Sequence, residues 1–213
     1  MESPRQIVRS PCQTDGHEEL AVTALTQPPG RLLTISDYAA LGEDDRSRWE
    51  LQEGNLIRSP SPAPHHMVAA AELYVQLRNQ LPSDACAIPD VDIDVQLAPA
   101  EQPGTARRPD LVVVDRAEFD RVCVRGGLLR ASAVLVVVEI LSPGSRRMDT
   151  FVKRGEYADA RIPNYWILDV DTPVSLVACH LAGEFGYQDS GEITGVFETD
   201  QPFPIRIDLD ALA

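Results

Sequence analysis

The sequence predicts one α/β or α+β domain, with helices flanking a central mixed β-sheet, and three observations carry that expectation. Two nearly continuous β-branched runs, LVVVD at 111–115 and VLVVVEIL at 134–141, have the character of strands covered on both faces. Segments of helical period stand on either side of them, at 65–81 and 146–160. The length of 213 residues suits one hydrophobic core and leaves little room for two.

The elements follow in order. Residues 1–30 mix Pro, Ser, Gln, Asp and Glu and close on QPPG, so they are expected to form a flexible N-terminal extension ahead of one domain over 31–213. Thr34 and Ser36 are candidate caps for a short helix from Asp37 to Leu41, which Gly42 would stop. Trp49, Leu51, Gly54, Leu56 and Ile57 suggest a hairpin with its turn at EGN. SPSPAP at 59–64 stiffens the entrance to a second helix, whose expected apolar stripe is Met67, Ala70, Ala71, Tyr74, Leu77 and Leu81. Alternation from Ile88 to Leu97 predicts one half-buried strand. Arg116, Glu118, Phe119 and Asp120, followed by Gly126 and Gly127, are expected to form a surface connection between the two apolar runs. Residues 146–160 predict a helix with Phe151, Tyr157 and Ala158 on its apolar face, stopped near Pro163. YWILDV and SLVACHL predict a hairpin about the DTP turn, and the segments at 185–187 and 203–207 are expected to complete the sheet edge.

The charge narrows the function. With 19 basic and 33 acidic side chains the net charge is −14, which counts against a non-specific nucleic-acid binder with a broad cationic face, though not against a local site. Cys12, Cys86, Cys123 and Cys179 form no CxxC pair and are expected to be reduced and mostly structural. Residues 1–20 lack the apolar core of a signal peptide and no later run approaches membrane length, so the expected location is cytoplasmic, with no membrane partner. There is no G-x-G-x-x-G fingerprint, P-loop or G-x-S-x-G elbow.

The candidate chemistry lies in Glu50, Asp110, Glu139 and Lys153. Glu139 interrupts an apolar strand, where a carboxylate is costly to bury without a cation or donors. Asp110 opens the neighbouring apolar run. Two such carboxylates on adjacent strands, with Glu50 as a third oxygen source, could hold Mg²⁺; a buried ion pair or capping network explains the same letters equally well. Lys153 is the one lysine against eighteen arginines and lies just beyond the Glu139 strand, although a solitary helical lysine is more often solvated.

WELQEGNLIRSPSPAPHH, RRPDLVVVD and VVVEILSPGSRRMDTFVKRGEYADARIPNYWILD, in that order, resemble the restriction-endonuclease family also called domain of unknown function 820, over about residues 31–207. The resemblance implies a restriction-endonuclease-like PD-(D/E)xK nuclease fold. It places Asp110 in the PD motif, Glu139 at the second acid and Glu50 at the upstream glutamate, with Asp110, Glu139 and Glu50 as metal ligands. The sequence departs from the ExK spelling, since Ile140 and Leu141 follow Glu139, and Lys153 on the next helix matches the lysine position. Pro89-Asp90 also spells PD but lacks the RRPDLVVV context. Asp149 matches an acidic position before the lysine, a helix-surface role being at least as good a reading; Asp92 and Asp94 are expected on an exposed strand.

His66, Arg146, Arg147 and Tyr157 are candidate phosphate or accessory contacts, with capping, packing or solvation as the plain alternatives; SPGS at 142–145 could offer backbone donors to phosphate. The expected function is a Mg²⁺- or Mn²⁺-dependent endonuclease that hydrolyses DNA phosphodiester bonds, working as a homodimer if its grooves are to reach both strands. The alternative is a non-catalytic nuclease-fold protein that acts through a regulatory or defence protein partner. A fold of this kind does not by itself establish activity.

Overall fold

The computed structural model describes residues 30–42, 48–59 and 61–212, so the expected extension, apart from Gly30, and Cys12 lie outside the described residues. The first helix, α1 (Ile35–Ala40), starts at Thr34, whose hydroxyl accepts from the Asp37 amide while Asp37 accepts from the Thr34 amide, a reciprocal capping box. Thr34 is thus the cap, and Ser36 lies inside the helix. The hairpin follows as β1 (Arg48–Gln52) and β2 (Asn55–Ser59), paired antiparallel. Gly54 in its turn has φ +80°, and a Cβ there would stand 2.7 Å from the Leu32 side chain and 2.8 Å from that of Pro103. Glycine is therefore required both by backbone conformation and by close approach.

The second helix, α2 (Pro64–Arg78), buries His66, Ala69, Ala70, Leu73 and Leu77. The inward face is rotated from the expected stripe: Met67 is 51% exposed, and Ala71 is exposed as well. This helix is alanine-rich with apolar residues all round, so periodicity alone cannot choose among its faces.

The expected strand at 88–97 is two strands in different sheets. β3 (Ala85–Pro89) pairs with β6 (Leu111–Asp115); the chain then breaks at Asp90, where φ is +51°, and β4 (Ile93–Asp94) joins β5 (Ala106–Arg107). A positive φ at a non-glycine residue cannot continue a pleated strand. The expected surface connection after β6 is a helix, α3 (Arg116–Arg125), whose Glu118 is buried under Arg121 and Arg130. β7 (Leu129–Arg130) leads into β8 (Val134–Ile140). A π-helical stretch, Met148–Lys153, runs straight into α4 (Arg154–Asp159). The chain ends in β9 (Asn164–Asp169), β10 (Ser175–Leu181), β11 (Tyr187–Thr194), β12 (Val196–Thr199) and β13 (Ile205–Asp208).

The six-stranded sheet has the order β11-β10-β9-β8-β6-β3, in which only β8 and β9 run parallel. A five-stranded sheet has the order β2-β1-β5-β4-β7. β12 and β13 form their own two-stranded ribbon rather than an edge of the larger sheet, and Phe197, Phe203, Ile205 and Ile207 pack it into the core shared with α2.

The continuous valine runs are explained by two cores, one on each face of the six-stranded sheet. Leu111, Val113, Val136, Val138, Ile140, Trp166 and Leu168 meet α2 and the β12–β13 ribbon. Val112, Val114, Val134, Val137, Tyr165 and Ile167 meet Ile93, Leu129 and Tyr157 on the other side. Fully burying each such aliphatic side chain contributes about 1.5–3 kcal/mol against leaving it in water. Glu139 lies between Val138 and Ile140 and so points to the second face, toward Tyr157 and the π-helical stretch.

Candidate functional site

A cleft of about 260 Å³ opens where the two larger sheets and the π-helical stretch meet, with Glu50, Asp110, Glu139, Asp149, Lys153 and His66 among the residues lining it. Each arrives by a separate local rule. Asp110 directly precedes β6, and the β6–β8 register, Leu111 opposite Val138, continues to set it across from Glu139. There the backbone ladder gives way to a side chain: Oδ2 of Asp110 accepts from the Ile140 amide at 2.7 Å and meets Nε2 of His66 at 3.2 Å. The same His66 nitrogen lies 3.2 Å from the Ile140 carbonyl.

Glu50 is delivered by β1, which pairs with β5 through Leu51 and Ala106. Its Oε2 accepts from Nη1 of Arg107 at 3.0 Å, and its Oε1 accepts from the Arg108 amide at 3.1 Å. Arg107 is fully buried and its guanidinium also forks onto Glu156, at 2.7 and 2.6 Å. Such a bidentate pair fixes both direction and charge.

Lys153 gathers the remaining acids. Its Nζ lies 2.9 Å from Glu139, 3.1 Å from Glu50 and 3.5 Å from Asp149. The π-helical winding holds Asp149 and Lys153, four residues apart, buried on the cleft side, while Phe151 between them is 75% exposed instead of joining the expected apolar face. Single π turns inside helices recur at functional sites. Tyr157 is buried beneath the cluster and donates its hydroxyl to Oε1 of Glu139 at 2.8 Å.

The electrostatics follow from crowding. Burial drives the Glu139 carboxyl well above the ordinary glutamate range; Lys153 opposes this, while Asp149, Asp110 and Glu50 reinforce it. For Glu50 burial also works upward, but Lys153, Arg107 and the Arg108 amide outweigh it and the net shift is downward. Burial raises Asp149. Burial disfavours the Lys153 ammonium, yet Glu139, Glu50 and Asp149 overcome it and hold the lysine charged. His66 is pushed down by burial but raised on balance by its bond to Asp110.

These residues suit a hard divalent cation by donor type, since all the acids present oxygen. Oδ1 of Asp149 is buried and has the Lys153 ammonium, 3.5 Å away, as its charge partner rather than a close hydrogen-bond donor. Yet among the described residues no three His, Cys, Asp or Glu side chains converge as a metal-holding group. Glu139 is turned onto Lys153 and Tyr157, and Glu50 onto Arg107 and Lys153, so both would have to turn from these partners to hold a cation together with Asp110.

The structure brings Glu50, Asp110, Glu139, Lys153 and His66 to one cleft and leaves Arg146 and Arg147 off its wall. Arg146 pairs with Asp169 at 2.7 Å, and Arg147 is exposed. Within SPGS, the amides of Ser142 and Ser145 each donate to the other's hydroxyl, at 3.1 and 3.2 Å. Sequence reasoning overlooked Arg48, Arg107 and Arg108. A usable signal existed, an arginine two residues before an acid in both Arg48-x-Glu50 and Arg108-x-Asp110.

A family model described as "Uma2: Putative restriction endonuclease" matches residues 35–199. The chain belongs to the Uma2 family. A crystal structure of a "putative nuclease belonging to DUF820" from Anabaena variabilis ATCC 29413 is similar to it with a TM-score of 0.63 and 16% identity, covering 84% of this chain and 97% of that one. At that identity the likeness speaks for the fold, a mixed α/β nuclease-like architecture. No curated protein matches the chain. Among the described residues of this Uma2 chain, no helix is long and apolar enough to cross a membrane.

Proposed function

We propose that this Uma2 chain is a Mg²⁺- or Mn²⁺-dependent endonuclease that hydrolyses DNA phosphodiester bonds, with residues 31–213 acting as one cytoplasmic domain. The observation that carries the reading is the Lys153 ammonium on Glu139 and Glu50 in a cleft whose opposite strand supplies Asp110. Asp110, Glu139 and Glu50 would hold the cation. When bound, it would polarise the phosphate and lower the pKa of water. Lys153 would orient the attacking water or stabilise charge building on phosphorus, Tyr157 would hold the Glu139 carboxylate in place, and His66 would hold Asp110. A homodimer would bring two such clefts to the two strands.

The test is cleavage of supercoiled, linear and single-stranded DNA with Mg²⁺ or Mn²⁺ by the intact protein, Glu139→Gln and Lys153→Ala, with circular dichroism as the folding control. Cation-dependent cutting that both folded variants lose is the expected result. Absence of cutting and of cation binding by the intact protein would overturn it. A second reading, a non-catalytic protein acting through a protein partner, draws on the −14 charge and on Phe151 and Phe185, 75% and 89% exposed, which flank one hollow. Reproducible co-purification without any cleavage would favour it.

A further inference from the structure

Asp90, the aspartate of the other PD dipeptide, stands beside the cleft rather than in it. Its amide donates to the Asp110 carbonyl at 3.1 Å, continuing the pairing of β3 with β6, and its positive φ turns the chain away from the sheet at that point. Oδ1 of Asp90 accepts from Nη2 of Arg48 and, at 2.9 Å, from Nε of Arg108. One carboxylate oxygen therefore draws two guanidinium groups together, from residues 42 and 18 positions away in sequence.

Both arginines line the cleft of Glu50, Asp110 and Glu139. Each precedes an acid of the cleft by two residues, Arg48 before Glu50 on β1 and Arg108 before Asp110, a spacing that in extended chain puts both side chains on one side. Arg108 is fixed further by its amide on Glu50, and it also borders a neighbouring hollow of about 340 Å³ walled by Tyr38 and Trp49. The side chains of Arg48 and Arg108 remain 23% and 25% exposed, so they reach solvent, unlike Arg107, which is sealed in.

Charge shows what the pair does. The cleft lining holds three permanent cations, Arg48, Arg108 and Lys153, against four carboxylates, Glu50, Asp110, Glu139 and Asp149. The lining itself thus carries one more negative charge than positive, and Asp90 at the rim adds another beside the two arginines. Lys153 is buried among carboxylates, which leaves the two arginines as the cleft's solvent-facing positive charge. A guanidinium carries five N–H donors, and one carboxylate oxygen uses one from each arginine, so both retain donors for a second anion.

We infer that Arg48 and Arg108, held together by Asp90, form a clamp for a backbone phosphate of the DNA strand entering the cleft. The inference rests on the nuclease reading above and supplies what that reading needs, a local cationic foothold on an acidic protein. Arg48 and Arg108 touch the phosphate; Asp90 is a positioning residue that brings two like charges to one place at the rim.

The test is anisotropy of a short labelled DNA duplex, with Ca²⁺ present in place of Mg²⁺, across a salt series. Intact protein is compared with Arg48→Gln, Arg108→Gln, Asp90→Ala and Arg206→Gln. Arg206 pairs with Glu198 on the solvent-facing side of the β12–β13 ribbon and controls for loss of one positive charge outside the cleft lining. Arg48→Gln and Arg108→Gln should each weaken binding about tenfold and flatten the log–log salt dependence by up to about 0.9, the whole share of the one phosphate they clamp. Arg206→Gln should change neither. Asp90→Ala gives a test of sign: loss of a negative charge raises DNA affinity on electrostatic grounds alone, whereas loss of the arginine holder lowers it. Binding by intact protein with the two cleft variants matching Arg206→Gln, or tighter binding by Asp90→Ala, overturns the clamp and leaves the nuclease reading standing. Failure of intact protein to bind DNA at all overturns both.

Discussion

Nζ of Lys153 lies 2.9 Å from Oε1 of Glu139, an ion pair between a central strand and the helical segment after it, with both side chains less than a tenth exposed. Charges so buried hold together only as a set, because either partner left alone bears its full desolvation cost.

Lys153→Met should therefore destabilise the fold by about 3 kcal/mol, the usual scale for breaking a buried pair. Adding Glu139→Leu should recover part of that loss, since the orphaned carboxylate leaves with its partner. Urea unfolding of both single variants and the double variant measures the coupling, and strict additivity would show that the two charges do not depend on each other.

Tyr157→Phe removes only the hydroxyl that donates to Glu139, leaving the ring to pack edge-on against Tyr165 with centroids 5.2 Å apart. A loss of about 1–2 kcal/mol is expected, together with slower DNA cleavage as Glu139 loses one of its two donors. Equilibrium unfolding and single-turnover cleavage read the two effects separately.

Glu118 provides a pH signature away from the cleft. Hydrogen bonds from Arg121 come first among the causes, followed against burial by those from Arg130, and they pull its carboxyl down to about 2. A carboxyl depressed in the folded state stabilises it above the unfolded value near 4.5, and this contribution is lost as pH falls toward 2. Glu118→Gln should be less stable than the parent at pH 7, and the gap should close between about pH 4.5 and pH 2. Thermal unfolding across that range follows it; a gap independent of pH would contradict it.

Gly54→Ala should cost at least about 1–3 kcal/mol, because φ there is +80° and the added methyl meets Leu32 and Pro103 below 3 Å. The same hairpin carries Glu50, so cleavage should fall alongside the melting temperature. Differential scanning calorimetry with a cleavage assay checks both.

The parts of the fold that were legible are those where one physical rule acts alone. LVVVD and VLVVVEIL announce central strands because both faces of their sheet are covered, and Glu139 stands out because nothing apolar explains a charge there. The inward face of α2 was not legible, since Met67, Val68, Ala69, Ala70 and Ala71 offer apolar groups in nearly every direction. Phe151 was misplaced for a different reason: a helical wheel assumes α winding, and this stretch is wound as a π helix. Arg48, Asp90 and Arg108 stayed hidden because their association depends on strand pairing between distant segments, which local pattern does not carry.

The wide winding at Met148–Lys153 makes chain length itself a variable of the cleft. Extra residues enter helices one at a time, and each displaces whatever follows by about 100° around the axis. Removal of one residue between Asp149 and Lys153 would preserve every acid on the strands and still swing Lys153 by about 100° around the axis relative to Asp149. Tolerance to deletion should thus fall sharply over these six residues, even at Thr150 or Phe151, whose own side chains do not line the cleft.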